Sequence, residues 1–159
     1  MEVNIRTACP SDFAALDALF LEGDRWHALH EPAIFCTPEG PPRPHEYLQR
    51  LLDGPDSAIL LAERDGEVLG LVMLVIRASS GLPMMTPRHV GMVDTLIVAA
   101  HARRQGVGHR LMAAAEDWCR QQGCTDIELT VWGFNKPARA LYADLSYRPL
   151  HHRLGKTLR

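Results

Sequence analysis

A mixed α and β domain is the fold class that this sequence predicts, and three observations predict it. Short apolar, β-branched or alternating runs recur at residues 3–7, 58–62, 68–76 and 93–98, each of strand rather than helix length. Among them lie stretches with apolar residues at helical spacing, the clearest passing through Val107, Leu111, Ala114, Ala115 and Trp118. The 159 residues, 47% hydrophobic and 23% charged, suit one globular domain over residues 1–159 whose core needs neither metal nor disulfide.

Taken in order, residues 3–7 alternate apolar and polar and read as an outer strand. Pro10, Ser11 and Asp12 then open a helix, with Ser11 or Asp12 able to cap it, and Phe13, Leu16, Leu19 and Phe20 form its apolar stripe. Gly23 is a weak breaker, so this helix is expected to continue to His30. Residues 31–44 hold Pro32, Pro38, Gly40, Pro41, Pro42 and Pro44, too dense in proline for a regular element, and read as a loop over the site. A short helix at 45–53 ends at Gly54-Pro55. Asp65-Gly66 joins two strands as a tight hairpin. The run 93–98 then feeds a glycine turn that opens a helix ended by Gly123, followed by a strand at 126–132 and a helix at 135–145.

The net charge of -2 and a pI near 6.4 argue against a nucleic-acid binder. The first residues carry no charged-then-apolar leader and no stretch is long enough for a membrane span, so a cytoplasmic location without membrane attachment is the expectation. Cys9, Cys36, Cys119 and Cys124 lack paired Cys-x-x-Cys spacing and read as reduced, partly buried thiols. His27 and His30 would share a helix face, and His151-His152 lie together, but none has a Cys, Asp or Glu partner at ligand spacing. No metal is expected.

The turn Arg103-Arg104-Gln105-Gly106-Val107-Gly108 carries the chemistry. A strand feeding a glycine turn into a helix gathers unpaired N–H groups and a positive dipole end at one point, which suits an anion such as phosphate. A Walker A loop would follow its last glycine with Lys-Ser/Thr, whereas Gly108 is followed by His109-Arg110. A dinucleotide fingerprint would need a third glycine where Leu111 stands. Arg103-x-x-Gly106-x-Gly108 instead resembles the pyrophosphate loop of the GNAT superfamily of acyl-CoA N-acyltransferases. Asn135-x-x-Ala138-x-x-Leu141-Tyr142-x-x-x-Ser146-Tyr147 is similar to that family's second signature. The resemblance covers residues 93–149, about a third of the chain. It departs at Ser146, where the family usually has a glycine suited to a left-handed helix end.

The resemblance implies a central, mostly antiparallel twisted sheet of about six to seven strands flanked by about four helices, closing on a pair of strands near 147–148 and 153–158. It implies N-acetyltransferase activity, with acetyl-CoA as co-substrate and a small-molecule or peptide amine as acceptor; a homodimer stays open. The amine would attack the thioester directly. Leu96, Ile97 and Val98 would line the cofactor arm, the Val98 N–H polarising the carbonyl. Backbone N–H groups of Arg104, Gln105, Gly106, Val107, Gly108 and His109 would hold the pyrophosphate, with Arg103 reaching an oxygen. Asn135 would cap its helix and touch the cofactor, and Tyr142 would protonate the departing thiolate. For the base, Asp94 is the first choice, because an offset of four residues puts it on the Val98 face of a regular strand, and Glu128 the second. Trp26, His27, His30, Phe35 and Trp132 would wall the acceptor pocket. A noncatalytic acyl-CoA sensor is the alternative, and turnover separates the two.

Overall fold

The computed structural model describes residues 2–158. Its elements are β1 (Asn4–Thr7), α1 (Phe13–His30), α2 (His45–Asp53), β2 (Ser57–Arg64), β3 (Glu67–Ala78), β4 (His89–Val98), α3 (Val107–Gln121), β5 (Asp126–Leu129) and α4 (Lys136–Asp144). Among the described residues five strands form one sheet in chain order, antiparallel from β1 to β4 and parallel between β4 and β5. The parallel pair is joined through the helix α3, because parallel neighbours need a crossover. Asp65 and Gly66, at φ 55° and 82°, make the two-residue turn between β2 and β3, as the Asp-Gly pair predicts.

The middles of β2 and β3, residues 58–62 and 69–74, are continuously buried, which is why they read as apolar runs rather than as alternation: helices cover both faces. Adjacent residues at the end of β4 identify the two layers. A side chain on Gly23 of α1 would meet Ile97 Cδ1 at 3.1 Å, and one on Gly108 of α3 would lie 3.8 Å from Val98 Cγ2. Neighbouring strand residues point to opposite faces, so α1 and α3 lie on opposite sides of the sheet. The core between them includes Leu16, Phe20, Ile59, Leu71, Met73, Leu111 and Met112, each almost fully buried.

Buried Asp12 anchors the start of α1. It accepts two hydrogen bonds from Arg6, at 2.8 and 2.9 Å, and one from the Cys9 N–H at 2.8 Å, and these hold its carboxyl well below the usual carboxylate range. α1 runs to His30 through Gly23, as expected, and among the described residues no helix is long and apolar enough to cross a membrane.

Four readings need correction. The closing pair of strands does not form, and residues 147–158 have no regular structure; the sheet has five strands rather than six or seven. Leu150, Leu154 and Leu158 recur every fourth residue with polar groups between them and stay exposed, so they supply no alternating face. β5 ends at Leu129 rather than 132, where the chain turns toward α4 through an Asn135 N–H to Trp132 carbonyl bond of 2.9 Å. Cys119 is buried and Cys124 half-buried, but Cys9 and Cys36 are exposed.

Candidate active site

The site is organised by where β5 stops. β4 pairs with β5 from Val90 to Val93, and beyond that the two strands part, leaving residues 94–98 of β4 without a strand partner on that side among the described residues. Peptide groups of alternate residues leave a strand on alternate edges. The Ala99 N–H bonds the Leu69 carbonyl on the β3 side, at 2.9 Å, so Val98 and Leu96 direct their N–H groups into the opening while Ile97 is committed to β3. The Val98 carbonyl faces the opening as well and accepts Arg103 Nε at 3.0 Å. Of the three predicted strand residues, Leu96 and Val98 can offer backbone polarity to a ligand; Ile97 contributes packing against α1.

At the end of β4 the chain turns into α3. Arg104 and Gly106 take left-handed conformations at φ 62° and 79°, and the N-cap residue Gly106 has no side chain to cap the helix. Its leading N–H groups, from about Gly106 to His109, have no intrahelical acceptor and point out with the positive end of the dipole. Gly106 is where glycine is needed for φ, with open space beside it; at Gly108 packing calls for glycine. A side chain there would meet Leu141 Cδ2 of α4 at 3.1 Å, so its absence lets α4 pack against α3. Arg103 turns back, its second contact being Glu22 at 2.9 Å, whereas Arg104 is exposed and, among the described residues, makes no ion pair. Gln105 bridges Arg64 and the His101 carbonyl. Glu22 also accepts the Ala100 N–H at 2.8 Å, so α1 and the turn are tied together by a residue that the sequence motif does not single out.

α4 closes the α3 face of the opening. Asn135 caps it, its side-chain oxygen accepting the Ala138 N–H at 3.1 Å. Ser146 takes φ 66° after its last turn, and the Tyr147 N–H returns to the Tyr142 carbonyl at 2.9 Å; serine therefore adopts the left-handed turn usually given to glycine. The Tyr142 ring lies 5.8 Å from that of Tyr147, and burial pushes its phenol up to about 12. It is a protonated donor at any physiological pH.

The other face carries an aromatic wall. All five predicted wall residues come together around a sixth, Phe134, which the sequence reading missed. Phe134 lies 5.7 Å from Trp26, 5.8 Å from His27, 6.2 Å from His30, 6.3 Å from Phe35 and 6.2 Å from Trp132. Phe35 reaches the wall from the proline-rich loop, 5.0 Å from both His27 and Trp132, and Arg43 pins that loop to Asp24 of α1 at 3.0 Å. Phe134 follows the strand run by five residues, in the turn before Asn135, where no periodicity marks it.

The two carboxylates named as bases are not equivalent. Glu128 sits beside Met92, six residues from Val98 and about 20 Å along the strand, and Arg88 holds it at 2.5 Å; it faces an ion pair rather than the opening. Asp94 is the extra residue of a β-bulge, since Val93 opposes Leu74 and Thr95 opposes Met73. The bulge breaks the alternation, so Asp94 does not share the Val98 face. It lies on the α1 and α2 side, where its charge adds to burial in raising the Tyr47 phenol, and it is exposed.

The profile described as "Acetyltransferase (GNAT) family" matches residues 25–147. The chain is 31% identical over 145 residues to an uncharacterized N-acetyltransferase, YhfO, of Bacillus subtilis (strain 168), covering 91% of this chain and 89% of that one. Its fold is similar to that of a mutant BH1408 protein from Bacillus halodurans, with a TM-score of 0.93 at 23% identity over 98% and 99% of the two chains. It also resembles an aminoglycoside N-acetyltransferase, AAC(6')-Iy, solved in complex with CoA, with a TM-score of 0.75 at 18% identity over 99% and 95%.

Proposed function

The chain belongs to the GNAT acetyltransferase family, and from that premise we propose that it transfers the acetyl group of acetyl-CoA to the amine of a small acceptor, by direct attack within a ternary complex. The observation that carries the reading is the unpaired end of β4 beside the open N-terminus of α3. A pantetheine arm can enter between β4 and β5 and pair with the Leu96 and Val98 peptide groups, while its pyrophosphate lies on the N–H groups of 104–109 with Arg104 alongside. Arg103 would join it by exchanging the Glu22 contact for phosphate.

The thioester carbonyl then lies at the Val98 N–H, a donor aimed where the oxyanion develops. CoA occupies the α3 and α4 face, so the acceptor approaches from the α1 face, along the aromatic wall. Tyr142 donates to the leaving sulfur from the α4 side. Asp94, about 13 Å along the strand from Val98, can act only through water, as the sink from which an acceptor proton reaches solvent.

A panel of primary amines incubated with acetyl-CoA, read by release of free thiol, tests the proposal. Acceptor-dependent thiol release is expected. Tight CoA binding with no turnover across the panel would favour the noncatalytic sensor instead.

A further inference from the structure

α1 crosses the opening between β4 and β5. At Gly23 it touches Ile97 on β4, and at Trp26, His27 and His30 it touches Phe134, in the segment that follows β5. His27 is one helical turn beyond Gly23 and one before the end of the wall, so it sits in mid-span, on the face from which the acceptor arrives.

Its hydrogen bonding suits that position to proton transfer. His27 Nδ1 lies 2.8 Å from the Gly23 carbonyl. A carbonyl can only accept, so Nδ1 carries the hydrogen and the neutral ring presents a bare lone pair at Nε2. Among the described residues nothing engages that nitrogen. The rings against His27 are Trp26, Phe35 and Phe134, none of which titrates in the neutral range. The ionisable groups beside it along the chain are His30 and Asp24 on α1, the latter held by Arg43, and Glu31 just past the helix end, with Glu22 held by Arg103. His30 makes the same kind of bond, Nδ1 to the Trp26 carbonyl at 2.8 Å, but it is exposed, tilted against Trp26 at 4.2 Å and stacked on Phe134, which places it at the outer end of the wall.

We propose that His27 Nε2 is the proton acceptor for the incoming ammonium group, an inference that rests on the N-acetyltransferase reading above. The ammonium gives one proton to Nε2, and the neutral nitrogen attacks the thioester carbon, forming the C–N bond. As the C–S bond breaks, sulfur takes the Tyr142 proton, and the second nitrogen proton restores the phenol through water. The imidazolium then releases its proton to solvent through the Asp94 side. The products are the amide, free CoA thiol and one proton. An imidazole suits this task because one ring nitrogen can take and release a proton while the other keeps its bond to the backbone. The wall supplies low-polarity surroundings in which the amine is better neutral than charged.

The test uses the full-length protein and an acceptor that the wild type acetylates. His27→Asn keeps a side-chain N–H in reach of the Gly23 carbonyl but has no atom at Nε2. It should lower kcat by about 10²-fold, change KM for acetyl-CoA little, flatten the acidic limb of the kcat profile, and recover when free imidazole is added to the assay. His27→Phe, which keeps a ring in the wall, should be equally slow and equally well folded by thermal melting. His30→Asn should retain the wild-type pH limb. A His27→Asn enzyme with near-normal kcat and an intact acidic limb overturns the assignment, as does a loss that imidazole fails to rescue and His27→Phe repairs, since that pattern belongs to packing. If the wild type acetylates no amine while binding CoA, the function itself falls, and the base with it.

Discussion

Tyr142→Phe isolates one atom, the hydroxyl proposed to protonate the leaving sulfur. The phenol is raised to about 12 by burial, so it is fully protonated at pH 7, and among the described residues it makes no hydrogen bond that the variant would lose. Removal should therefore cost less than about 1 kcal/mol of stability. A lost general acid lowers kcat by about 10²-fold, equivalent to about 2.7 kcal/mol of barrier, with KM for acetyl-CoA nearly unchanged because the interaction is made in the transition state. The folded-state pKa lies above the unfolded value of about 10. The unfolded chain thus loses the proton first, and stability present below that pH is lost as pH rises toward 12; the variant should lose part of this alkaline sensitivity. Steady-state rates and thermal melts of both proteins are the assay. Wild-type kcat in a well-folded variant would remove Tyr142 from the mechanism, and a change in KM alone would make it a cofactor-positioning residue.

Ser146→Gly should raise stability by about 1 kcal/mol, because Ser146 is held at φ 66°, where a side chain is strained and glycine is not; a lower melting temperature would contradict this. Asp12→Asn should destabilise by about 2 kcal/mol at pH 7, through loss of its charged hydrogen bonds with Arg6. The Asp12 carboxyl is depressed on folding, so its contribution is present above about pH 4 and fades as pH falls below that. Denaturant melts from pH 3 to 7 should show the gap between wild type and variant closing on the acid side, and a constant gap would refute the cause given.

The glycine turn at 103–108 and the start of α4 were legible because local chemistry dictates them. Gly106 needs its φ, Asn135 caps with its own oxygen, and an Asp-Gly pair makes a hairpin whatever surrounds it. The aromatic wall was legible in five of its six members: clustering in sequence marked Trp26, His27, His30 and Phe35, and the end of the strand run marked Trp132, but Phe134 lies in a turn, where nothing local distinguishes it from a solvent-exposed ring. Asp94 shows the opposite failure. Counting residues from Val98 places it correctly on a regular strand, but the bulge that opposes Val93 to Leu74 and Thr95 to Met73 is a property of the β3–β4 pairing and leaves no mark on either strand alone. The closing strands were expected from the family pattern, and Leu150, Leu154 and Leu158 lack the alternation to form them.

In the proposed mechanism the two substrates meet across the β4 opening, acetyl-CoA from the α3 face and the amine from the α1 face, with no covalent stop on the protein. Initial rates measured with both acetyl-CoA and an acceptor amine varied test this most directly. Double-reciprocal plots that intersect are predicted, because both substrates must be bound before the acetyl group moves. Parallel lines, with an acetylated protein isolable in the absence of amine, would contradict it.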